Sequence, residues 1–418
     1  MTDTYTLHLH NFRSIRDAKV EIAPLTVVYG PNGSGKSSLI YGLLTLKNFL
    51  TNPSQNLASL FSYPSISLGG WQEVVHRHAV DKEVSLSIGF SNNTEDFSPR
   101  FTLTLGQSGG SAEVAFEIID RDHIPVWPER LDLSIAIPYD ANQQVDHNVK
   151  MVGESGSASL EGTLIWNGIA LSTQTSGGPG ELPVLVRLLN ERINLPMELA
   201  RQTGFVPLRR GFSKPTYGLS SVTSALATED EVASLLASTS ERFRQYDVSR
   251  YIERIAHRRV MTQAQIGTSV FTIDSIPTGS GVAASIVNEG FGINQLLYLL
   301  TICLYSPFKI VAIEEPEIHL HPSMVRELAR AMVTIAANED RRLIVSTHSE
   351  VFVTALLAQI AAGEASVDDI SFILAENRDG ESTFTPQRAT PDGQIEGGLG
   401  AFMASEVGDL AALLGISD

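Results

Sequence analysis

The stretch LTVVYGPNGSGKSSLI, residues 25–40, decides how the chain is read. An unalternating strand-like run, Leu25–Tyr29, enters a glycine-rich loop, which enters SLIYGLLTLKNFL, where the apolar spacing is helical. Gly30–Ser37 satisfies G-x-x-x-x-G-K-[ST], a pattern whose small residues let successive backbone N–H groups curl around a phosphate. The helix behind it offers its N-terminus to the same anion. Gly30, Asn32, Gly33, Ser34, Gly35, Lys36, Ser37 and Ser38 are thereby assigned to binding ATP. Lys36 would reach the β and γ phosphates and the Ser37 hydroxyl would hold Mg²⁺.

Such a loop needs a carboxylate at the end of a neighbouring buried strand. KIVAI, residues 309–313, followed by Glu314 and Glu315, supplies one. Glu314 is expected on the metal side, and Glu315 is expected to orient or deprotonate the attacking water. His348 follows the next apolar strand, LIVST, at the edge where ligands of open α/β sheets bind, and is expected to meet the γ phosphate or the water. His319 and His321 form an H-x-H beside carboxylates, a zinc-like pattern. The flanking Pro316 and Pro322 indicate a turn instead, and no third ligand is evident, so His319 and His321 are read as a loop that packs or touches a partner subunit, with direct nucleotide contact the alternative, and Glu317 is placed with them in a loop facing another subunit.

Between these two portions the pattern changes. VSLSIGF, FTLTLG, EVAFEII, LDLSIAI and SLEGTLIW alternate with period two and predict an antiparallel sheet. Residues 181–200 and 229–258 read as helical, the latter with Thr228 and Glu231 at capping-box spacing, and 204–218 reads as loop. An apolar helix from Gln295, the strand at 309–313, an amphipathic helix over 323–337 and the strand at 343–347 complete an α/β portion. The expected domains are an N-terminal lobe, 1–180, a helical insertion, 181–265, and a C-terminal lobe, 266–418.

With 43% hydrophobic and 18% charged residues, the 418-residue chain has the composition of a folded globular protein. Lys plus Arg total 30 against 47 Asp plus Glu, a formal charge of −17, so contact with DNA would need a local basic patch. Arg250, Arg254 and Arg258, at i+4 spacing, would line one helix face, either as local ion pairs or as a surface for phosphate or an acidic partner. The single cysteine, Cys303, excludes an internal disulfide and reads as a small buried hydrophobe. No secretory signal or membrane span is apparent, so a cytoplasmic protein without membrane contact is expected.

NFRSI (11–15), GPNGSGKSSL (30–39), VPLRR (206–210), NEGFGINQLL (288–297), IEEPEIHLHP (313–322), VSTHS (345–349) and the tail DGQIEGGLGAFM occur in that order. With them the chain resembles the stand-alone ABC-type ATPases of the OLD and RecF-like group. The resemblance implies a P-loop ATPase head with an antiparallel β subdomain and a helical subdomain inserted between the phosphate loop and the acidic strand. It also implies a homodimer or higher homo-oligomer in which two heads sandwich ATP and Mg²⁺. The signature segment would be NEGFGINQ, with Gly290 and Gly292 letting backbone approach the γ phosphate and Asn288 beside them. Arg13 matches an arginine that reaches nucleotide phosphate, His348 matches the switch histidine, and Gln72 is the candidate for the metal-side glutamine. Arg209 and Arg210 either reach nucleotide or form a structural salt bridge.

Long-armed relatives need heptads between the halves of the head, and the intervening sequence has none. OLD nucleases carry a further acidic metal domain, and only about seventy residues follow His348, so no nuclease of the chain's own is expected. The leading expectation is a sensor ATPase of an anti-phage defence system controlling a separately encoded effector, such as a nuclease. A RecF-like repair ATPase acting on DNA and a slow ATP-gated scaffold are the alternatives.

Overall fold

Period-two alternation from Val84 onward builds a run of antiparallel strands. The computed structural model describes residues 4–52, 57–63, 65–91, 97–107, 109–119, 130–138, 143–153, 156–166, 171–174, 194–222, 228–238, 245–339 and 341–399. The chain divides into two compact units, neither continuous in sequence. One is drawn from 1–22, 38–203 and 378–382, the other from 23–37, 204–377 and 383–418.

The first unit is organised by a nine-stranded sheet among the described residues. In spatial order its strands are Leu171–Gln174, Gly156–Trp166, Gln143–Gly153, Arg130–Pro138, Gly109–Ile119, Phe97–Gly106, Val84–Ser91, Thr4–Phe12 and Ile15–Ile22. Every neighbouring pair is antiparallel. Alternation puts Val84, Leu86 and Ile88 inside with Phe101, Leu103 and Leu105. Leu39, Leu43, Leu46 and Leu50 recur at helical spacing and are buried, and the Phe49 ring lies 6.2 Å from that of Phe101.

In the second unit a six-stranded sheet runs in the order Thr203–Val206, Ile310–Glu314, Arg342–Thr347, Leu25–Tyr29, Ile370–Arg378, Glu381–Gln387. The four central strands are parallel, in a register that pairs Glu314 with Ser346, Thr347 with Tyr29 and Tyr29 with Leu374. All of Leu25–Tyr29 and all of Ile310–Glu314 are buried, as strands covered on both faces must be. The helices Phe291–Cys303, Pro322–Asn338 and Glu350–Ala361 contribute Leu297, Leu300, Leu328, Met332, Phe352 and Leu356 to one core with Val27, Val311, Ile313 and Val345. A mixed α/β architecture with separate sheet and helical portions results.

Several local expectations change. The segment 229–258 forms two helices, Glu229–Ala237 and Gln245–Ala256, the first closed by the expected capping box between Thr228 and Glu231. The second stops at His257, whose φ of 53° takes the left-handed turn usually given to glycine. Arg258 therefore opens the strand Arg258–Ala264, antiparallel to Val270–Pro277, and leaves the helix face of Arg250 and Arg254. Gly204–Val206, read as loop, belongs to the strand beside Ile310–Glu314, and the apolar helix starts at Phe291 instead of Gln295. Residues 181–193 of the expected helix and 400–403 of the tail motif lie outside the described residues.

Candidate active site

Three strand ends meet at one edge of the parallel sheet. Leu25–Tyr29, Arg342–Thr347 and Ile310–Glu314 are successive parallel neighbours. The loop Gly30–Ser37, the pair Thr347–His348 and the pair Glu314–Glu315 consequently all leave from their C-terminal ends, the position from which open α/β sheets bind ligands.

The loop is shaped by its first glycine. Gly30 has φ of 151°, and a Cβ there would stand 2.2 Å from the Ala375 carbonyl oxygen, so no side chain fits. Lys36 is buried and its ammonium donates to Gly30 O at 2.9 Å and Pro31 O at 2.8 Å. Burial lowers its pKa, opposed by the nearby charges of Glu315 and Glu317. Asn32 and Gly33 are exposed, Gly35 and Ser37 are half-buried, and Ser38 is buried. Ser34 is buried with its hydroxyl unpartnered. The helix begins at Lys36, and its first N–H groups have no intrahelical acceptor.

The acidic turn is held by an arginine from another part of the sequence. Arg210 donates through Nη1 to Glu314 O at 2.7 Å and Pro207 O at 3.0 Å, and through Nη2 to Glu315 O at 2.8 Å and Pro316 O at 3.3 Å. Burial pulls its pKa down to about 10, which leaves it protonated at neutral pH. Arg210 is thus bound to backbone carbonyls, a different structural role from the salt bridge considered from sequence, while Arg209 is exposed. The clamp supports a strained residue: Glu315 has φ of 43°, and its N–H donates to Ser346 O at 2.8 Å. The Glu315 carboxylate contacts Nδ1 of His348. Glu314 is buried, and its Oε2 accepts from the Leu208 N–H at 3.4 Å.

Glu317 does not face outward as expected. Its carboxyl group is buried and accepts from Thr347 Oγ1 at 2.5 Å, while Oε2 has no partner, and burial raises its pKa. Ligand-type atoms of Glu315, Glu317 and His348 lie within 4.8 Å of one another. The H-x-H histidines take other places. His319, with φ of 61°, sets its ring 5.8 Å from that of Phe291, and His321 caps the helix Pro322–Asn338 by accepting from the Ser323 N–H.

In the segment expected from sequence as the signature, Asn288 and Gly290 are exposed, and Phe291 is 75% exposed. A Cβ on Gly292 would stand 2.5 Å from His319 O, so this glycine lets the helix start press against the acidic turn. Asn294, which sequence reasoning passed over, is buried. It accepts from Phe212 N–H at 2.6 Å and donates to Phe212 O at 2.9 Å and Ile286 O at 3.2 Å.

Arg13 and Gln72 belong to the first unit. The Arg13 guanidinium lies 5.3 Å from the Tyr41 ring centroid, and Gln72 is exposed on the short helix Trp71–Val74. The arginines proposed as a basic face are engaged locally: Arg250 over the Tyr251 ring, Arg254 with Glu327 at 3.5 Å, and Arg258 with Glu289 at 3.5 Å. No helix of the described residues is long and apolar enough to cross a membrane.

Comparison with known proteins identifies a family. The description "AAA domain, putative AbiEii toxin, Type IV TA system" matches over residues 25–161 and 198–354. No curated protein matches the sequence. Among solved structures, the SMC head domain from Thermotoga maritima is similar at 12% identity and a TM-score of 0.42, over 92% of this chain and 99% of that one. An Smc head domain with an extended coiled coil bound to the C-terminal domain of ScpA, from Pyrococcus furiosus, is similar at 12% identity and a TM-score of 0.43, over 92% and 96%.

Proposed function

Since the chain belongs to the AAA-domain family described as putative AbiEii toxin of type IV toxin–antitoxin systems, a family of P-loop ATPases, we propose that it is an ATP-hydrolysing switch of a defence system, governing a separately encoded effector. The observation that carries the catalytic reading is the shared sheet edge of the phosphate loop, Glu314–Glu315 and His348. The residues fit a triphosphate with its magnesium ion. A buried ammonium satisfied only by the loop's own carbonyls and the N–H groups of a helix start, which lack intrahelical acceptors, suit an anion, and Glu314 and Ser37 are oxygen ligands of the hard kind magnesium takes.

In this reading Lys36 turns from the carbonyls of Gly30 and Pro31 to the phosphates, and Ser37 and Glu314 hold the metal. Bound magnesium would neutralise charge on the phosphate oxygens. Glu315 takes a proton from the attacking water, and His348, already in contact with that carboxylate, orients it and meets the γ phosphate. Asn288, Gly290 and Gly292 serve the nucleotide of a second copy, so that ATP joins two heads and hydrolysis releases them. Arg13 and Gln72 are proposed as its further phosphate and metal contacts. The family's description as a toxin–antitoxin component supports a role in defence, and an effector such as a nuclease is the proposed output.

Glu315→Gln tests this. Hydrolysis should fall by about 10²- to 10⁴-fold with ATP binding retained, and an ATP-dependent assembly should accumulate on size-exclusion chromatography. Undiminished turnover would remove Glu315 from the mechanism.

A further inference from the structure

Beside the nucleotide chemistry, we infer that Glu315, Glu317 and His348 form a binding site for a second cation, a first-row transition dication such as Zn²⁺, separate from the magnesium held by Ser37 and Glu314. Two carboxylates and an imidazole place their ligand atoms within 4.8 Å of one another. Around Zn²⁺, bonds of about 2.0–2.2 Å set such atoms roughly 3.4 Å apart, so side-chain adjustments of about 1 Å complete the set. An imidazole with two carboxylates suits zinc or manganese better than magnesium, which prefers oxygen ligands and retained water.

An independent feature points to a ligand. The Glu317 side chain is buried, Thr347 Oγ1 occupies only its Oε1, and Oε2 is left without a partner. A buried carboxyl oxygen without a donor is costly, and a cation coordinated there would remove that cost. The Thr347 hydroxyl supports the set from behind. It donates to Glu317 and accepts from the Ser349 N–H at 2.9 Å, fixing the backbone on both sides of His348. Lys36 and Arg210 are the nearby positive groups, and their hydrogen bonds go to backbone carbonyls. His348, with its side chain 51% exposed, gives the cation a path from solvent.

The consequence for turnover rests on the catalytic reading above. A cation held by Glu315 and His348 occupies the water-activating carboxylate and its histidine, so Zn²⁺ would stop hydrolysis without displacing Mg²⁺ from Glu314.

Isothermal titration of Zn²⁺ into the full chain without nucleotide tests the site whether or not the protein hydrolyses ATP. One equivalent should bind, and Glu317→Gln and His348→Asn should each weaken it by about tenfold or more. His348→Asn lies at a partly exposed position and carries the test if Glu317→Gln fails to fold. His8→Ala is the control for a second histidine–carboxylate cluster among the described residues, where His8 and His10 meet Asp17 at 2.8 and 3.3 Å, and should leave the high-affinity step unchanged. Loss of that step in His8→Ala, equal affinity in His348→Asn, or no stoichiometric binding overturns the proposal. Zinc binding that leaves hydrolysis untouched would keep the site and reject only its link to Glu315 chemistry.

Discussion

Arg210 donates to the carbonyl oxygen of Glu315 at 2.8 Å across 105 residues of sequence. The same guanidinium reaches the carbonyls of Glu314 and Pro316, so one side chain fixes three consecutive peptide groups at the end of the acidic strand. Glu315 can then hold a left-handed backbone that a non-glycine residue adopts at a cost of about 1 kcal/mol or more.

Removing the clamp should therefore cost both stability and turnover. Arg210→Ala leaves buried carbonyls without their donor, and a loss of roughly 2–4 kcal/mol is expected in chemical denaturation. Arg210→Lys keeps the charge but lacks the planar fork, and it should restore only part of that loss. Hydrolysis should drop by about tenfold or more in both variants while ATP binding persists, because the phosphate loop does not depend on Arg210. An alanine variant with wild-type stability would show that the turn holds its own shape.

Legibility from sequence follows the range of the interaction. Leu25–Tyr29, Gly30–Ser37 and Ile310–Glu315 were readable because apolar runs, glycines and terminal carboxylates are local signals with local causes. Arg210 and Asn294 were not, since each acts on backbone groups distant in sequence and no spacing announces such a contact. The turn at His257 escaped for another reason: the expected stop signal is glycine, and a histidine took its conformation. The hairpin Arg258–Ala264 and Val270–Pro277 could have been found, because Phe271, Ile273 and Ser275 alternate with half-buried neighbours. Glu317 was misplaced because an acidic residue in a proline-flanked turn usually points to water, and only the tertiary partner Thr347 turns it inward.

Asn294 joins three segments through one amide. Its bonds to both backbone groups of Phe212 and to Ile286 O make it a connector between the loop after Arg210 and the start of the helix Phe291–Cys303. Asn294→Leu keeps the volume and removes the pairing. A destabilisation of about 2–3 kcal/mol is expected by denaturation, one unsatisfied N–H and two carbonyls being buried at once. A neutral result would mean that the loop repairs its hydrogen bonds by moving.

Cys303 offers a probe of opening. It is fully buried, and burial pushes its thiol up to about 12, so at pH 8 the thiolate fraction is about 10⁻⁴ even before access is considered. Raising the pH toward 12 increases that fraction, the direction expected for a thiol whose charged form is disfavoured. An aromatic disulfide reagent at pH 8 should leave the native chain unlabelled and modify one thiol on denaturation. Fast labelling without denaturant would show that the helix Phe291–Cys303 opens locally.

Gly290 and Gly292, in the proposed signature segment, separate a fold contact from a contact with another molecule. A Cβ on Gly292 would stand 2.5 Å from the His319 carbonyl oxygen, whereas one on Gly290, the N-cap of the same helix, meets nothing within 4 Å. Gly292→Ala must move backbone and should destabilise the isolated chain by roughly 1–3 kcal/mol. Gly290→Ala has room and should cost only about 0.5 kcal/mol through the weaker cap. If a second copy presses its nucleotide against this face, however, Gly290→Ala should impair ATP-dependent assembly and hydrolysis despite near-native stability. Denaturation curves measured beside ATP-dependent size-exclusion profiles and turnover distinguish the two effects. Unaltered assembly and turnover in Gly290→Ala would place the second nucleotide elsewhere than at the exposed start of this helix.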